Sequence, residues 1–453
     1  MVTAAVLFAS TVAWTQRLSI ASVVQDAERD YPLIHVTEAE LNASIANIRL
    51  SRTAYLPRVD GLAQFNLATR NNVFGALLPQ SIVPSMSGPV INSNNGGSVW
   101  GSATGLLVNW QPFDFGLRRA NVQTAVAGRD KADATVRRTQ LEVSTAAADA
   151  YLTVLVAGQT KQAAQAAVDN WETLGQSVHA LTSAELRPGA DESRIDAEKA
   201  VARTQLALAQ EAVEVSRATL ATFLVKTNDS GSELASSQVL SRLPVMVDET
   251  VPFQPAANPI MAEQKAAVTQ SAAQLHATER SWVPQFNLEA AGYGRGTGAE
   301  LNGERLSGAN GLAPNVGDYA VGLNITFAFM DFASIHAREA AQASTLIAAQ
   351  AHEQLAGREL QEQFAQAEAA LRATRAVAEN TPIALSSAQT SFAQANARYK
   401  AGLSPIDDVA QAQRLLVQAQ IDDSIARLNV WRAFLHLQAI RGDLQPFLQA
   451  ASQ

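Results

Sequence analysis

Residues 281–294 read SWVPQFNLEAAGYG, and a stretch of the same kind stands earlier at 54–67, AYLPRVDGLAQFNL. Each opens with an aromatic residue and a proline, then alternates. In the later stretch Phe286, Leu288 and Ala290 alternate with Gln285, Asn287 and Glu289. In the earlier one Val59, Gly61, Ala63, Phe65 and Leu67 alternate with Asp60, Leu62, Gln64, Asn66 and Ala68. Successive side chains of a strand point to opposite faces, so a period of two with one apolar face predicts a half-buried strand. Strands are expected at about 58–70 and 285–296. Tyr319, Val321, Leu323, Ile325, Phe327 and Phe329 repeat the pattern at about 318–330, and a weaker alternation marks a fourth strand at about 98–112.

Working outward, the whole chain repeats. QPFDFG at 111–116 matches AFMDFA at 328–333, and RPGA at 187–190 matches KAGL at 400–403. The separations fall from 227 residues (57 to 284) through 217 (114 to 331) to 213 (189 to 402), as expected if the first copy has longer loops. Each copy reads helix, two-stranded hairpin, long helix, turn, helix. The copies occupy 15–226 and 259–444, with an irregular Ser- and Pro-rich connector at 227–258 and a tail at 445–453.

Ala-, Gln- and Glu-rich segments almost free of Gly and Pro predict long helices at about 115–181 and 332–400. At about 1.5 Å per residue each is a rod of roughly 100 Å. Returning helices are expected at about 191–226 and 405–440. One stripe of the latter runs Val409, Ala412, Leu416, Ala419, Asp423, Ala426, Val430, and a second lies near Val417, Ile421, Ile425, Leu428 and Leu435. The first copy is matched to it with Val201, Thr204, Leu208, Glu211, Val215 and Ala218, together with Leu206, Val213 and Leu220. Strict sevens impose a left-handed supercoil, and two stripes on one helix call for neighbours on both sides. An ordinary antiparallel coiled coil would explain the stripes but not the attached hairpins. Pro382 marks either a kink or a fresh helix start.

The 453 residues are 47% apolar and 17% charged, so the bulk of the chain can bury a core. With 34 basic against 42 acidic residues, net −8, no basic stripe is present for a nucleic-acid partner. Cysteine is absent, which removes disulfides, thiolate metal sites and an acylated N-terminal cysteine. The apolar stretch at 2–14 (VTAAVLFASTVAW) suits a secretory signal core, with small residues at Ala9, Ser10 and Ala13 but no basic residues before it. The other reading is a mobile N-terminal segment. No interior run reaches the roughly 20 apolar residues of a spanning helix. Such a chain can still cross a membrane as a closed β-barrel.

About a dozen residues per strand suffices for a tilted membrane strand, and Trp110, Trp282 and Tyr319 near strand ends suit interfacial girdles. On the strands alone a water-soluble sandwich with its apolar face inward is equally good. In lipid, four strands cannot close and open edges are not tolerated, so several chains must share one barrel. Two chains give eight strands and a filled interior; three or more leave a lumen, lined by Gln64, Asn66, Gln285, Asn287, Asn324 and Thr326.

The repeat, the Tyr-Leu-Pro and Trp-Val-Pro leads into the hairpins, the Phe-Asp-Phe-Gly exit and RYKAGLSPIDDV at 398–409 resemble the TolC-like outer-membrane efflux family over about residues 18–444. The resemblance implies a mainly α fold with a membrane β-barrel. Three subunits would form a twelve-stranded β-barrel continuous with a long α-helical barrel of twelve helices. It implies a homotrimer in outer-membrane lipid with a long periplasmic extension. The periplasmic tips would dock a periplasmic adaptor (membrane fusion) protein and, with it, an inner-membrane pump. No cofactor is implied.

By the same resemblance the docking tips fall on Arg187, Gly189, Ala190, Gly402, Leu403 and Ser404. Gly189 and Gly402 are expected at positive φ in the two turns. Asp408 matches a constricting aspartate, whose copies would form a cation-favouring ring. One turn on, Gln411 stands where a second aspartate is familiar, while Asp407 adds charge nearby. Tyr399, Arg194 and Asp196 complete the expected gate. Asp407 and Asp408 also suit the plainer role of first-turn acids favoured by the helix dipole.

An enzyme is not expected. His35, His179, His276, His336, His352 and His436 show no metal-ligand spacing, and the glycines of GYGRG at 292–296 sit in a strand and open no helix. The adjacent acids Asp407–Asp408 and Asp422–Asp423 point apart on a helix. Two other uses stay open at this level: the outer-membrane duct of a type I protein secretion system, and a periplasmic coiled-coil adaptor or structural protein.

Overall fold

The computed structural model describes residues 18–69, 97–184, 189–224, 238–244, 252–300, 304–327 and 329–452. The signal-like stretch at 1–14, most of the connector and Arg187 lie outside the described residues. In chain order the elements are α1 (Ile20–Asp30), α2 (Pro32–Thr53), β1 (Arg58–Thr69), β2 (Ser98–Phe113), α3 (Leu117–Ser183) and α4 (Gly189–Ala221). After a short α5 (Gln238–Ser241) come α6 (Pro259–Glu279), β3 (Gln285–Thr297), β4 (Val316–Thr326), α7 (Phe332–Lys400), α8 (Ile406–Arg441) and α9 (Gln445–Ser452). The chain forms two compact units, one of Met1–Leu41, Ala132–Lys265 and His352–Gln453, the other of Asn42–Lys131 and Ala266–Ala351.

The second unit holds one antiparallel sheet in the order β1-β2-β3-β4. The quoted motifs form the knot where β2 becomes α3. Asp114 accepts hydrogen bonds from the backbone N–H of Gly116 and Arg118 and from the Arg118 Nε at 2.9 Å. Phe115 and Gly116 turn the chain with φ of 50° and 93°. Arg118 reaches back to donate to the Ala54 and Pro112 carbonyls, with its guanidinium over the Tyr55 ring. The Trp110 indole donates to the Tyr55 carbonyl at 3.1 Å. Both members of the Asp114–Arg118 pair are buried. Burial pushes the Asp114 carboxyl up, and the backbone and side-chain donors outweigh it, holding the group below its ordinary value.

The first unit is helical. Its larger core gathers Val23 and Ile34 with Tyr151, Leu152, Trp431, Phe434 and Phe447. Phe447 belongs to α9, so the segment expected as a C-terminal tail is a packed helix, held because its one large aromatic is fully buried. The Asn258 amide donates to the Ala439 and Ile440 carbonyls, satisfying the end of α8. One window of α3 has the length and hydropathy to cross a membrane, contrary to the expectation from the sequence. The apolar residues at Ala147–Val156 belong instead to this core.

Pro382 neither ends nor restarts α7, which is continuous from Phe332 to Lys400. On α8 the expected stripe, Val409 to Val430, is buried throughout. On α4 the expected stripe is not: Val201, Leu208 and Val215 are exposed, and the buried positions are Ile195, Glu198, Ala202, Ala209, Val213, Ser216 and Leu220. The companion row expected on this helix does face inward: Val213 and Leu220 are buried and Leu206 packs against the core, while the polar Glu198 and Ser216 take inward positions that an apolar pattern does not reveal.

Candidate functional site

The strand register sorts the side chains of the sheet into two faces, since residues paired across antiparallel strands share a face. One face carries Phe65, Leu67, Trp100, Leu106, Trp110, Phe286, Leu288, Tyr319, Val321, Leu323 and Ile325. It is open: Tyr319 is 86% exposed, Val321 70% and Phe65 65%. The opposite face carries Gln64, Asn66, Asn109, Gln285, Asn287, Asn324 and Thr326. All five charged residues of the strands, Arg58, Asp60, Glu289, Arg295 and Asp318, lie on this polar face. An apolar exposed face backed by a polar one is the reverse of a water-soluble sandwich layer. The six polar residues expected to line water share one face, as the alternation required.

The helix tips form a separate site in the first unit. Tyr399, Trp171, Ile195, Ile406 and Val409 share a small core that gathers α3, α4, α7 and α8. At the α7–α8 turn Gly402 takes φ 76°, its N–H donates to the Tyr399 carbonyl, and the Leu403 N–H to that of Arg398. These two bonds are the paired closure of a Schellman end. Leu403 then projects 71% exposed, while Ser404 is buried. Gly189 is different: it opens α4, exposed beside Ala190, and positive φ is not among its features. A residue starting a helix needs ordinary helical dihedrals, so the expected positive φ at Gly189 is corrected.

The expected gate residues are partly joined. Arg194 Nε lies 3.2 Å from Asp407 Oδ1, tying α4 to α8. The buried Tyr399 donates its hydroxyl to Asp191 Oδ2 at 3.1 Å, tying the end of α7 to the first turn of α4. Asp196 does not take part; it pairs with Lys199 on its own helix at 3.2 Å. Asp408 and Gln411 are exposed one turn apart on α8, and among the described residues Asp408 has no ion pair. Three members were missed: Asp191, Glu198 and Arg414. Glu198 is buried and lies 3.2 Å from Arg194 Nη2 and 3.7 Å from Arg414 Nη1. Asp407, Arg194, Glu198 and Arg414 thus run to and fro between α4 and α8. The signal that could have found Glu198 is a charged residue at an inward position between Ile195 and Ala202.

Among the described residues no group of three or more His, Asp or Glu is placed to hold a metal ion. A family model for outer membrane efflux proteins matches residues 23–224 and 255–443, the two copies of the repeat. No curated protein matches the chain by sequence. Solved structures share the fold. CusC, described for conformational changes accompanying folding and transmembrane channel formation, superposes with a TM-score of 0.78 at 13% identity, over 94% of this chain and 93% of its own. The Campylobacter jejuni CmeC outer membrane channel gives 0.75 at 14% identity over 93% and 85%. The Neisseria gonorrhoeae MtrE outer membrane channel, in its open state, gives 0.73 at 17% identity over 95% and 91%.

Proposed function

Because the chain belongs to the outer membrane efflux protein family, we propose that it is a homotrimeric outer-membrane channel of a tripartite efflux system. It conducts small molecules passively, from a periplasmic adaptor and inner-membrane pump to the exterior. The observation that carries this reading is the sheet: every strand charge on one face, large apolar side chains exposed on the other, and β1 and β4 each paired on one side only among the described residues. Bare edges cannot face lipid, so β4 of one chain pairs with β1 of the next until the ring closes. Three chains are the fewest that leave a water-filled lumen.

The exposed stripe Val201, Leu208, Val215 supports the same assembly, since a heptad-spaced apolar row calls for a neighbouring helix. The tips Arg187, Gly189, Ala190, Gly402 and Leu403 dock the adaptor, with the exposed Leu403 as the apolar anchor and the buried Ser404 behind the turn. Asp408, backed by Gln411, forms the constriction, and Tyr399, Asp191, Arg194, Asp407 and Glu198 hold it closed.

The test is the mass of the purified protein in detergent together with its conductance in planar bilayers. A trimer with small cation-selective openings is the expected result. A water-soluble monomer that never inserts would overturn the reading.

A further inference from the structure

Charge is unevenly paired on the polar face of the sheet. Arg58 Nε lies 2.9 Å from Asp60 Oδ2, and Arg295 Nε lies 3.1 Å from Asp318 Oδ2. Glu289 is left over, with no ion pair among the described residues. Each chain therefore brings one uncompensated negative charge to this face.

The surroundings of Glu289 do not hide that charge. Its cross-strand row runs Arg58, Asn109, Glu289, Gly322. Asn109 is neutral. Gly322 has no side chain, and a Cβ built there meets open space. Arg58 stands two strands away, about 10 Å at the usual strand spacing, and its guanidinium is engaged by Asp60.

We propose that Glu289 is a selectivity-determining residue of the barrel: its copies form a ring of carboxylates in the lumen that favours cations over anions, independently of the tip gate. This rests on the trimeric channel proposed above. Rings of acidic side chains select cations because the local potential raises the cation concentration. The ring lines a wide, wet lumen, so salt must screen it. The screening length is about 30 Å at ~0.01 M and about 3 Å at ~1 M.

The experiment compares the full-length protein with Glu289→Gln, each also carrying Tyr399→Phe to relieve the tip. Reversal potentials are read in KCl gradients. The potassium-to-chloride permeability ratio should fall about twofold or more in Glu289→Gln at ~0.01 M salt and stay the same at ~1 M. Gly322→Asp, which adds a second carboxylate to the same open row, should raise the ratio and provides a test if Glu289→Gln fails to assemble. Hexaamminecobalt(III), added on the extracellular side, should block the parent more strongly than Glu289→Gln. A trimer that conducts with the same ratio and the same block in all three proteins overturns the role of Glu289 and leaves the channel standing. Failure of the unmutated chain to insert and conduct would overturn the channel reading and this inference with it.

Discussion

Replacing Tyr399 by Phe removes one oxygen from the tip and keeps the ring. The ring sits in the small core with Trp171, Ile195 and Val409, and Phe keeps those contacts. What is lost is the hydroxyl that donates to Asp191 Oδ2 at 3.1 Å. A hydrogen bond to a charged group contributes about 1.5–3 kcal/mol, and the half-buried Asp191 puts this one near the lower end. In the proposed gated trimer, three protomers opening together would lose about 4–5 kcal/mol of preference for the closed tip, roughly three powers of ten in the closed-to-open ratio. Single-channel recording of Tyr399→Phe should show larger or longer openings than the parent. Asp191→Asn, which keeps an acceptor but loses the charge, should have a smaller effect in the same direction. The reasoning is refuted if Tyr399→Phe remains a trimer by mass and its conductance and open probability match the parent.

Val321→Arg should cost about 2–4 kcal/mol of barrel stability by placing a charge toward lipid, whereas Ala320→Arg, one residue away on the polar face, should assemble; the yield of detergent-resistant trimer compares them. Arg118→Met leaves the buried Asp114 without its ion partner and should cost about 3–5 kcal/mol in denaturant unfolding. Because the folded-state pKa of Asp114 is lowered, its contribution is full above the unfolded value of about 4 and is lost as pH falls through the folded value. Thermal unfolding of Asp114→Asn should accordingly show a weaker loss of stability on acidification than the parent. In the proposed constriction, Asp408→Asn should reduce cation selectivity in bilayers and Gln411→Asp should increase it.

The strands were legible because lipid, water and the two-residue period act on every position of a β-hairpin alike. Phe65 and Val321 could be assigned to a face without knowing any contact. The helices were less so. α4 keeps its heptad period, but Glu198 and Ser216 occupy inward positions while Val201, Leu208 and Val215 stand outside. A rule that seeks apolar residues therefore finds the bare stripe and the buried Val213 and Leu220, but passes over Glu198 and Ser216. Gly189 was misread for a related reason. A glycine near a turn suggests positive φ, yet only the glycine that follows a helix needs it, as Gly402 does. The partner of Tyr399 was out of reach, because Asp191 and Asp196 both lie in the early turns of α4 and only their rotation about the helix separates them.

The structure also corrects how the two copies align. Six of the seven buried positions of α4 match buried positions of α8 214 residues on: Ile195 with Val409, Glu198 with Ala412, Ala202 with Leu416, Ala209 with Asp423, Ser216 with Val430 and Leu220 with Phe434, while Val213 falls on Arg427, which is not buried. On this register Arg194 stands where Asp408 stands in the other copy. Each copy has one buried acid in its stripe, set where the other copy has alanine. Each acid is held by an arginine four residues away on its own helix and by a second helix. Glu198 takes Arg194 and, from α8, Arg414; Asp423 takes Arg427 and, from α7, Thr381 at 2.8 Å. A buried carboxylate with two partners resists separation more than an exposed ion pair, because losing a partner leaves a desolvated charge behind. The two acids therefore brace different parts of the bundle. Asp423 braces α8 against α7 within the second copy, while Glu198 braces α4 against α8, across the copies. Only the second link must break if the copies part at the tip. In the proposed gate, the Glu198–Arg414 contact therefore joins Arg194–Asp407 as a cross-copy link that opening would break.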